Sequence, residues 1–199
     1  MRGVLPSANP MADLPHLLQR AIATSVETSQ TLGELEPALA RAVEAITNCL
    51  AGGRKLLVCG NGGSAADAAH FATEFVVRFI KERRGYPAIC LTSDGGLMSA
   101  AGNDYGFDEV FARQVAAFGQ TGDVLVCLTT SGNSRNVQRA LKEAKSRGVV
   151  TIALLGRDGG ATKGMAEIEL LVRGENTARI QEAHMLLLHV MCEAVEARL

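Results

Sequence analysis

The sequence predicts an α/β protein: a doubly wound, five-stranded parallel sheet of flavodoxin-like type, with helices before it and a long helix closing the chain. Three observations carry this. From Lys55 onward, short apolar runs alternate with stretches of helical spacing. The runs are continuous in apolar residues, as parallel strands covered on both faces require. The composition is 47% hydrophobic but only 4% aromatic, with no Trp, which calls for an aliphatic core. At 199 residues the chain suits one domain with ample core.

Taken in order, residues 1–10 read as a disordered lead, and Met11 could be the biological start; residues 11–199 read as one domain. Pro15 to about Ser29 has helical apolar spacing (Leu17, Leu18, Ala21, Ile22, Val26), with Asp13 as a candidate cap and Pro15 in the first turn. A second helix is expected from Leu35 to Leu50, stopping at Gly52-Gly53. Neither carries a chemical motif, so residues 11–53 are expected to serve packing or oligomerisation. The strand candidates are Leu56–Cys59, Ala88–Leu91, Val124–Leu128, Thr151–Leu155 and Ile168–Val172. Helices are expected at 64–82, 94–101, 108–118, 134–147, 161–165 and from Asn176 to Leu199.

In such sheets ligands bind beyond the carboxyl ends of the strands, and three of these ends are rich in small polar groups. The first, Gly60-Asn61-Gly62-Gly63-Ser64, is a glycine-rich turn running into a helix that carries Asp67, His70, Glu74 and Arg78. Its spacing fits neither the dinucleotide fingerprint nor a P-loop. His70 and Glu74 are four apart and share a helix face, so they could hold one metal or act on one substrate. The second end, Thr92 to Gly96, is less telling; beyond it Gly102 to Gly106 is turn-rich, and its Asn103-Asp104 pair could bind a polyol. The third, Thr129-Thr130-Ser131-Gly132-Asn133-Ser134, offers four hydroxyls at a helix start. One hydroxyl suffices for a cap; four point to a phosphate cradle. In the last helix Gln181, His184 and His189 interrupt an apolar sequence, in a chain with four histidines in all.

A net charge of −1 without a long basic run argues against nucleic acid or an anionic membrane as partner. No apolar run approaches ~18 residues, and Gly3 to Pro6 is too short for a signal peptide. A cytoplasmic protein is expected. The five cysteines include no C-x-x-C pair and read as small core residues in a reducing compartment.

Gly60 to Asp67, then His70, Glu74 and Arg78, then Asn103-Asp104, then Thr130 to Ser134, then Arg179-Ile180-Gln181-Glu182 and His189, resemble the bacterial phosphoheptose isomerases of the sugar isomerase (SIS) domain family. The resemblance runs from about Leu14 to Leu199 and departs at Ala178, where some members have Asp. It implies an SIS fold, a homotetramer with active sites between subunits, one zinc per subunit, and conversion of sedoheptulose 7-phosphate to glycero-manno-heptose 7-phosphate for lipopolysaccharide-core or nucleotide-activated heptose. It implies zinc ligands His70, Glu74, Gln181 and His189, and substrate contacts from Asn61, Gly62, Gly63, Ser64, Arg78, Asn103, Asp104, Thr129, Thr130, Ser131, Ser134 and Gln181. Glu74 suits the base and His189 the acid of an enediol isomerisation. The alternatives are a non-catalytic relative that binds the replication initiator and a sugar-phosphate-sensing regulatory domain; neither needs Glu74 and His189 as an acid–base pair.

One geometric expectation follows from spacing. Gln181 and His189 lie about 12 Å apart along a helix and roughly 80° apart around it. One metal reaching both would be strained, so either they serve one site from different subunits or the helix starts irregularly near Gln181.

Overall fold

The computed structural model describes residues 14–199; the expectations for residues 1–10, Met11 and Asp13 fall outside them. Five parallel strands form one sheet: β1 (Leu56–Gly60), β2 (Ala88–Cys90), β3 (Val124–Thr129), β4 (Val150–Gly156) and β5 (Ile168–Val172), in the order β2-β1-β3-β4-β5. The helices are α1 (Leu14–Gln30), α2 (Glu36–Ala51), α3 (Gly63–Val76), α4 (Gly95–Tyr105), α5 (Val110–Phe118), α6 (Arg135–Ser146) and α7 (Thr177–Glu196). This is the doubly wound α/β architecture that the alternation of runs predicts.

Because successive strand residues face opposite sides, the sheet divides the core in two. Leu56, Val58, Val126, Leu128 and Leu154 pack under α2, α3 and α7, where Phe71 and Phe75 meet edge to face at 5.0 Å. Leu57, Cys59, Leu125 and Cys127 pack under α5 and α6. The central strands β1 and β3 are buried throughout. At the edges the continuous-run expectation fails: β2 is half-buried, and β5 alternates because Glu169 turns outward to accept from the amides of Gly164 and Ala166. The cysteines are all free thiols, buried except for half-buried Cys90.

The helix expected at 161–165 is only a 3-10 turn, Gly160–Thr162, and the one expected from 108 begins as a 3-10 turn, Phe107–Glu109, before α5. Two further helix boundaries differ more consequentially. α3 stops at Val76 rather than running to residue 82, because the backbone amides of residues 79–81 turn away to a carboxylate on α7, described below. α4 continues through Asn103 and Asp104 to Tyr105, with Asp94 accepting from the Leu97 amide at its start. Helix spacing overrides the local turn signal there.

Among the described residues no helix is long and apolar enough to cross a membrane. The apolar stripe of α1 is not buried within the chain: Leu17, Leu18, Ile22 and Val26 are all more than half exposed.

Candidate active site

α3 and α7 lie side by side, and their facing surfaces bring together residues far apart in sequence. His70 Nε2 stands 2.9 Å from Glu74 Oε1 and 3.4 Å from His189 Nε2. Phe79 stacks on the His189 ring, with centroids 5.6 Å apart and planes 27° apart. Cys192, one turn beyond His189, is buried here; burial first, then the nearby Glu74 carboxylate, pushes its thiol up to about 12, leaving it inert. Asp67 lies one turn before His70, with a buried Oδ2 that has no hydrogen-bond partner among the described residues; burial raises its pKa and the charge of His70 opposes this.

The nitrogen pair bears on metal binding. If His70 Nε2 donates its proton to the Glu74 carboxylate, it has no lone pair left for His189, so the N···N approach is not then a hydrogen bond. Two nitrogens bound to one tetrahedral zinc would be about 3.3 Å apart, given Zn–N lengths of about 2.0–2.1 Å. The His70–His189 edge fits that spacing. The set is nevertheless not closed, since among the described residues no group of three or more His, Cys, Asp and Glu stands at metal-binding spacing.

Gln181 is not with these residues. Its carboxamide rests on Gly63, at the start of α3, where a Cβ would collide with it. Gly63 precedes His70 by two helical turns, about 10 Å. α7 is regular through both Gln181 and His189, which rules out the irregular-start expectation. Gly63→Ala should therefore displace Gln181, raising KM for the substrate about 3- to 30-fold with little loss of stability, because the clash falls on the end of a flexible side chain. An unchanged KM would show that Gln181 has no contact to lose.

The strand-end loops carry the remaining polar groups. Asn61 and Asn136 exchange two side-chain hydrogen bonds, each 2.9 Å, tying the Gly60–Ser64 turn to the start of α6. Buried Asn136 had no sequence signal beyond its place in a helix first turn. In the Thr129–Ser134 loop, Thr129 is buried and its Oγ1 accepts from the Gly132 amide at 3.2 Å, with Ser134 Oγ also at 3.2 Å. Ser134 occupies the N-cap of α6 yet makes no side-chain capping bond. The ordinary-cap explanation therefore fails for Ser134, while the Thr129 and Ser131 hydroxyls accept from the amides of Gly132 and Asn133 within the loop. The loop is braced from behind: Thr162 donates through its amide and Oγ1 to the Gly132 carbonyl, at 2.9 and 2.6 Å. Gly132, at φ 65°, approaches Gly159 too closely for any Cβ.

Other expected contacts are not gathered in one chain. Asn103 and Asp104 are exposed and bond each other at 2.8 Å; Arg78 lies past the end of α3 and pairs loosely with Glu82 at 3.7 Å. Arg179 and Glu182 are structural: Arg179 donates to the Ala21 carbonyl at 2.7 Å and pairs with Glu182 at 2.6 Å, while Ser25 donates to Glu182, pinning α1 to α7. A cavity of about 920 Å³ opens beside Ser131 and Asn133, lined also by Arg157, Lys163 and Arg173, but none of His70, Glu74 and His189 borders it. These three residues lie instead on an open face, where the His70 side chain is 45% exposed.

Comparison with known proteins defines the class first. Residues 21–156 match the model of the SIS domain. The phosphoheptose isomerase of Geobacter sulfurreducens is 55% identical over 166 residues, covering 83% of this chain and 88% of that protein. The structure of phosphoheptose isomerase GmhA from Neisseria gonorrhoeae superposes with TM-score 0.87 at 44% identity, covering 92% of this chain and 99% of that one. A phosphoheptose isomerase from Francisella tularensis superposes with TM-score 0.86 at 40% identity, covering 96% and 100%. The chain belongs to the SIS domain family and, within it, to the phosphoheptose isomerases, a family of enzymes.

Proposed function

We propose that this protein is a cytoplasmic aldose–ketose isomerase that converts sedoheptulose 7-phosphate to D-glycero-D-manno-heptose 7-phosphate, supplying heptose for lipopolysaccharide core or nucleotide-activated sugars. The observation that carries this reading is the meeting of Glu74 and His189 around His70, from segments 119 residues apart, in a chain with phosphoheptose isomerase relatives. Such an isomerisation needs one group to move a proton between C1 and C2 and another to exchange protons with the two oxygens. Glu74 takes the C1 proton as His189 protonates O2, giving the enediol. Return of the proton to C2 and loss of the O1 proton then complete the aldose. The Thr129–Ser134 loop, with its uncapped helix start, suits the phosphate, and the Gly60–Ser64 turn with Gln181 suits the polyol.

Zinc would be held by His70, Glu74 and His189, and would polarise the carbonyl and stabilise negative charge on its oxygen. Gln181, lying by Gly63 in its own chain, would complete the ligand set from a neighbouring copy. That arrangement, the exposed stripe of α1 and the separation of Asn103, Asp104 and Arg78 from the site all favour a homotetramer with sites at subunit interfaces.

The test is a coupled assay with sedoheptulose 7-phosphate, before and after dialysis against a chelator, with zinc content and melting temperature measured in parallel. Turnover is expected, falling at least tenfold on chelation with a lower melting temperature, both restored by Zn²⁺. No turnover, with binding to the replication initiator instead, would overturn the enzyme reading. A rate and melting temperature indifferent to chelation would remove zinc and leave the isomerase.

A further inference from the structure

The sequence reading passed over Arg83 and Glu196, yet these residues join the two halves of the site. Glu196 is the last residue of α7 and only 6% exposed. It follows His189 by seven residues, so the two lie on nearly one line along the helix, about 20° apart. Its carboxylate accepts from the amides of Phe79, Ile80 and Lys81 at 3.2, 2.9 and 2.8 Å, and from Arg83 Nε at 2.9 Å. Burial alone would raise its pKa, but these donors hold it below the usual carboxylate range.

Arg83 uses most of its remaining donors on the end of α3, with a further bond from Nη1 to the Arg84 carbonyl at 3.1 Å. Nη2 donates to the Glu74 carbonyl at 2.7 Å and Nη1 to the Phe75 carbonyl at 3.0 Å. These are carbonyls of the last helical turn, which have no partner within the helix. The Tyr86 amide also donates to Phe75 O, at 2.9 Å. The segment after Val76 is thus drawn back across α3 and α7, and it lays Phe79 on the His189 ring.

We propose that Arg83 and Glu196 are positioning residues: their buried ion pair fixes the Glu74 turn of α3 to α7 and, through the residue 79–81 backbone, seats Phe79 on His189. The pair thereby sets both the spacing of base and acid and the plane of the imidazole. A guanidinium is required because one flat group must meet a carboxylate and three carbonyls at once, which an ammonium cannot do in the same geometry.

This inference rests on Glu74 and His189 being the acid–base pair, and the test keeps the two claims apart. Steady-state kinetics with sedoheptulose 7-phosphate would be measured on full-length Arg83→Lys, Glu196→Gln, their double variant, Phe79→Leu and Glu74→Gln, well below each melting temperature. Leu141→Ala, in the core on the opposite face of the sheet, controls for lost stability. Arg83→Lys and Glu196→Gln are each expected to lower kcat roughly 10- to 100-fold with KM within about twofold, and the double variant to be no worse than the poorer single. Phe79→Leu should lower kcat about 3- to 10-fold, and it carries the test if the buried variants do not fold. Leu141→Ala should lose stability and keep its kcat. If Glu74→Gln is inactive while the folded clamp and Phe79 variants retain wild-type kcat, the positioning role is wrong. It is equally wrong if Leu141→Ala loses as much kcat at a matched melting temperature. If Glu74→Gln stays active, the acid–base reading itself fails, and the positioning claim with it.

Discussion

Glu74→Gln is expected to lower kcat on sedoheptulose 7-phosphate by about 10²- to 10⁴-fold, the usual loss when a general base is removed. Measured without metal, the melting temperature should move little; with Zn²⁺ present, the variant should lack the stabilisation that the metal gives the wild type. The Glu74 side chain is 20% exposed and its contact with His70 is 2.9 Å. A Gln oxygen can accept there as a carboxylate oxygen does, so the hydrogen bond survives while the proton acceptor is lost. His189→Asn should reduce kcat over the same range, with a somewhat larger loss of stability because the contact with Phe79 goes too. Retention of a tenth or more of wild-type kcat by folded Glu74→Gln would exclude Glu74 as the base.

The second large effect concerns stability in mild acid. His184 is fully buried on α7, with Nε2 3.2 Å from the Leu155 carbonyl and Nδ1 without a partner among the described residues. Burial lowers its pKa from 6.5 to about 4, against the opposing bond to Leu155. In the unfolded chain the same imidazole takes up its proton near 6.5, so between about 6.5 and 4 the unfolded state binds more protons. Stability therefore falls as pH falls through this window, by up to about 1.4 kcal/mol per unit and about 3 kcal/mol altogether. Urea unfolding at pH 7.5 and pH 5 measures the drop. His184→Gln, which does not titrate, should show a shallower loss between the two; an equal loss would mean that other groups carry the acid sensitivity.

The parallel sheet was legible because buried strands must be apolar throughout, and Leu56–Cys59 and Val124–Leu128 are so. The edge strand β5 departs from that rule through Glu169, whose carboxylate bonds to the preceding loop. His70 and Glu74 could be placed on one face from their spacing alone. Their meeting with His189 could not, since it depends on how α7 packs beside α3. Gln181 shows the limit of motif reading: the resemblance groups it with those ligands, yet within its own chain it lies by Gly63, so the motif alone does not say which copy it would serve. Arg83 and Glu196 were hidden for a related reason. An Arg in a charged stretch and a Glu near a helix end look solvated until tertiary packing buries both.

The reciprocal amides of Asn61 and Asn136 have a consequence for discrimination among sugars. The same bonds that join the first turn to α6 fix the gauge between the proposed polyol wall and the phosphate cradle. Because the two loops cannot slide independently, a substrate held as proposed between wall and cradle would be measured as by a ruler. A sugar phosphate one or two carbons shorter would have to forgo its phosphate contacts or hold its carbonyl away from Glu74. Length, as much as hydroxyl stereochemistry, would then decide which ketose is turned over.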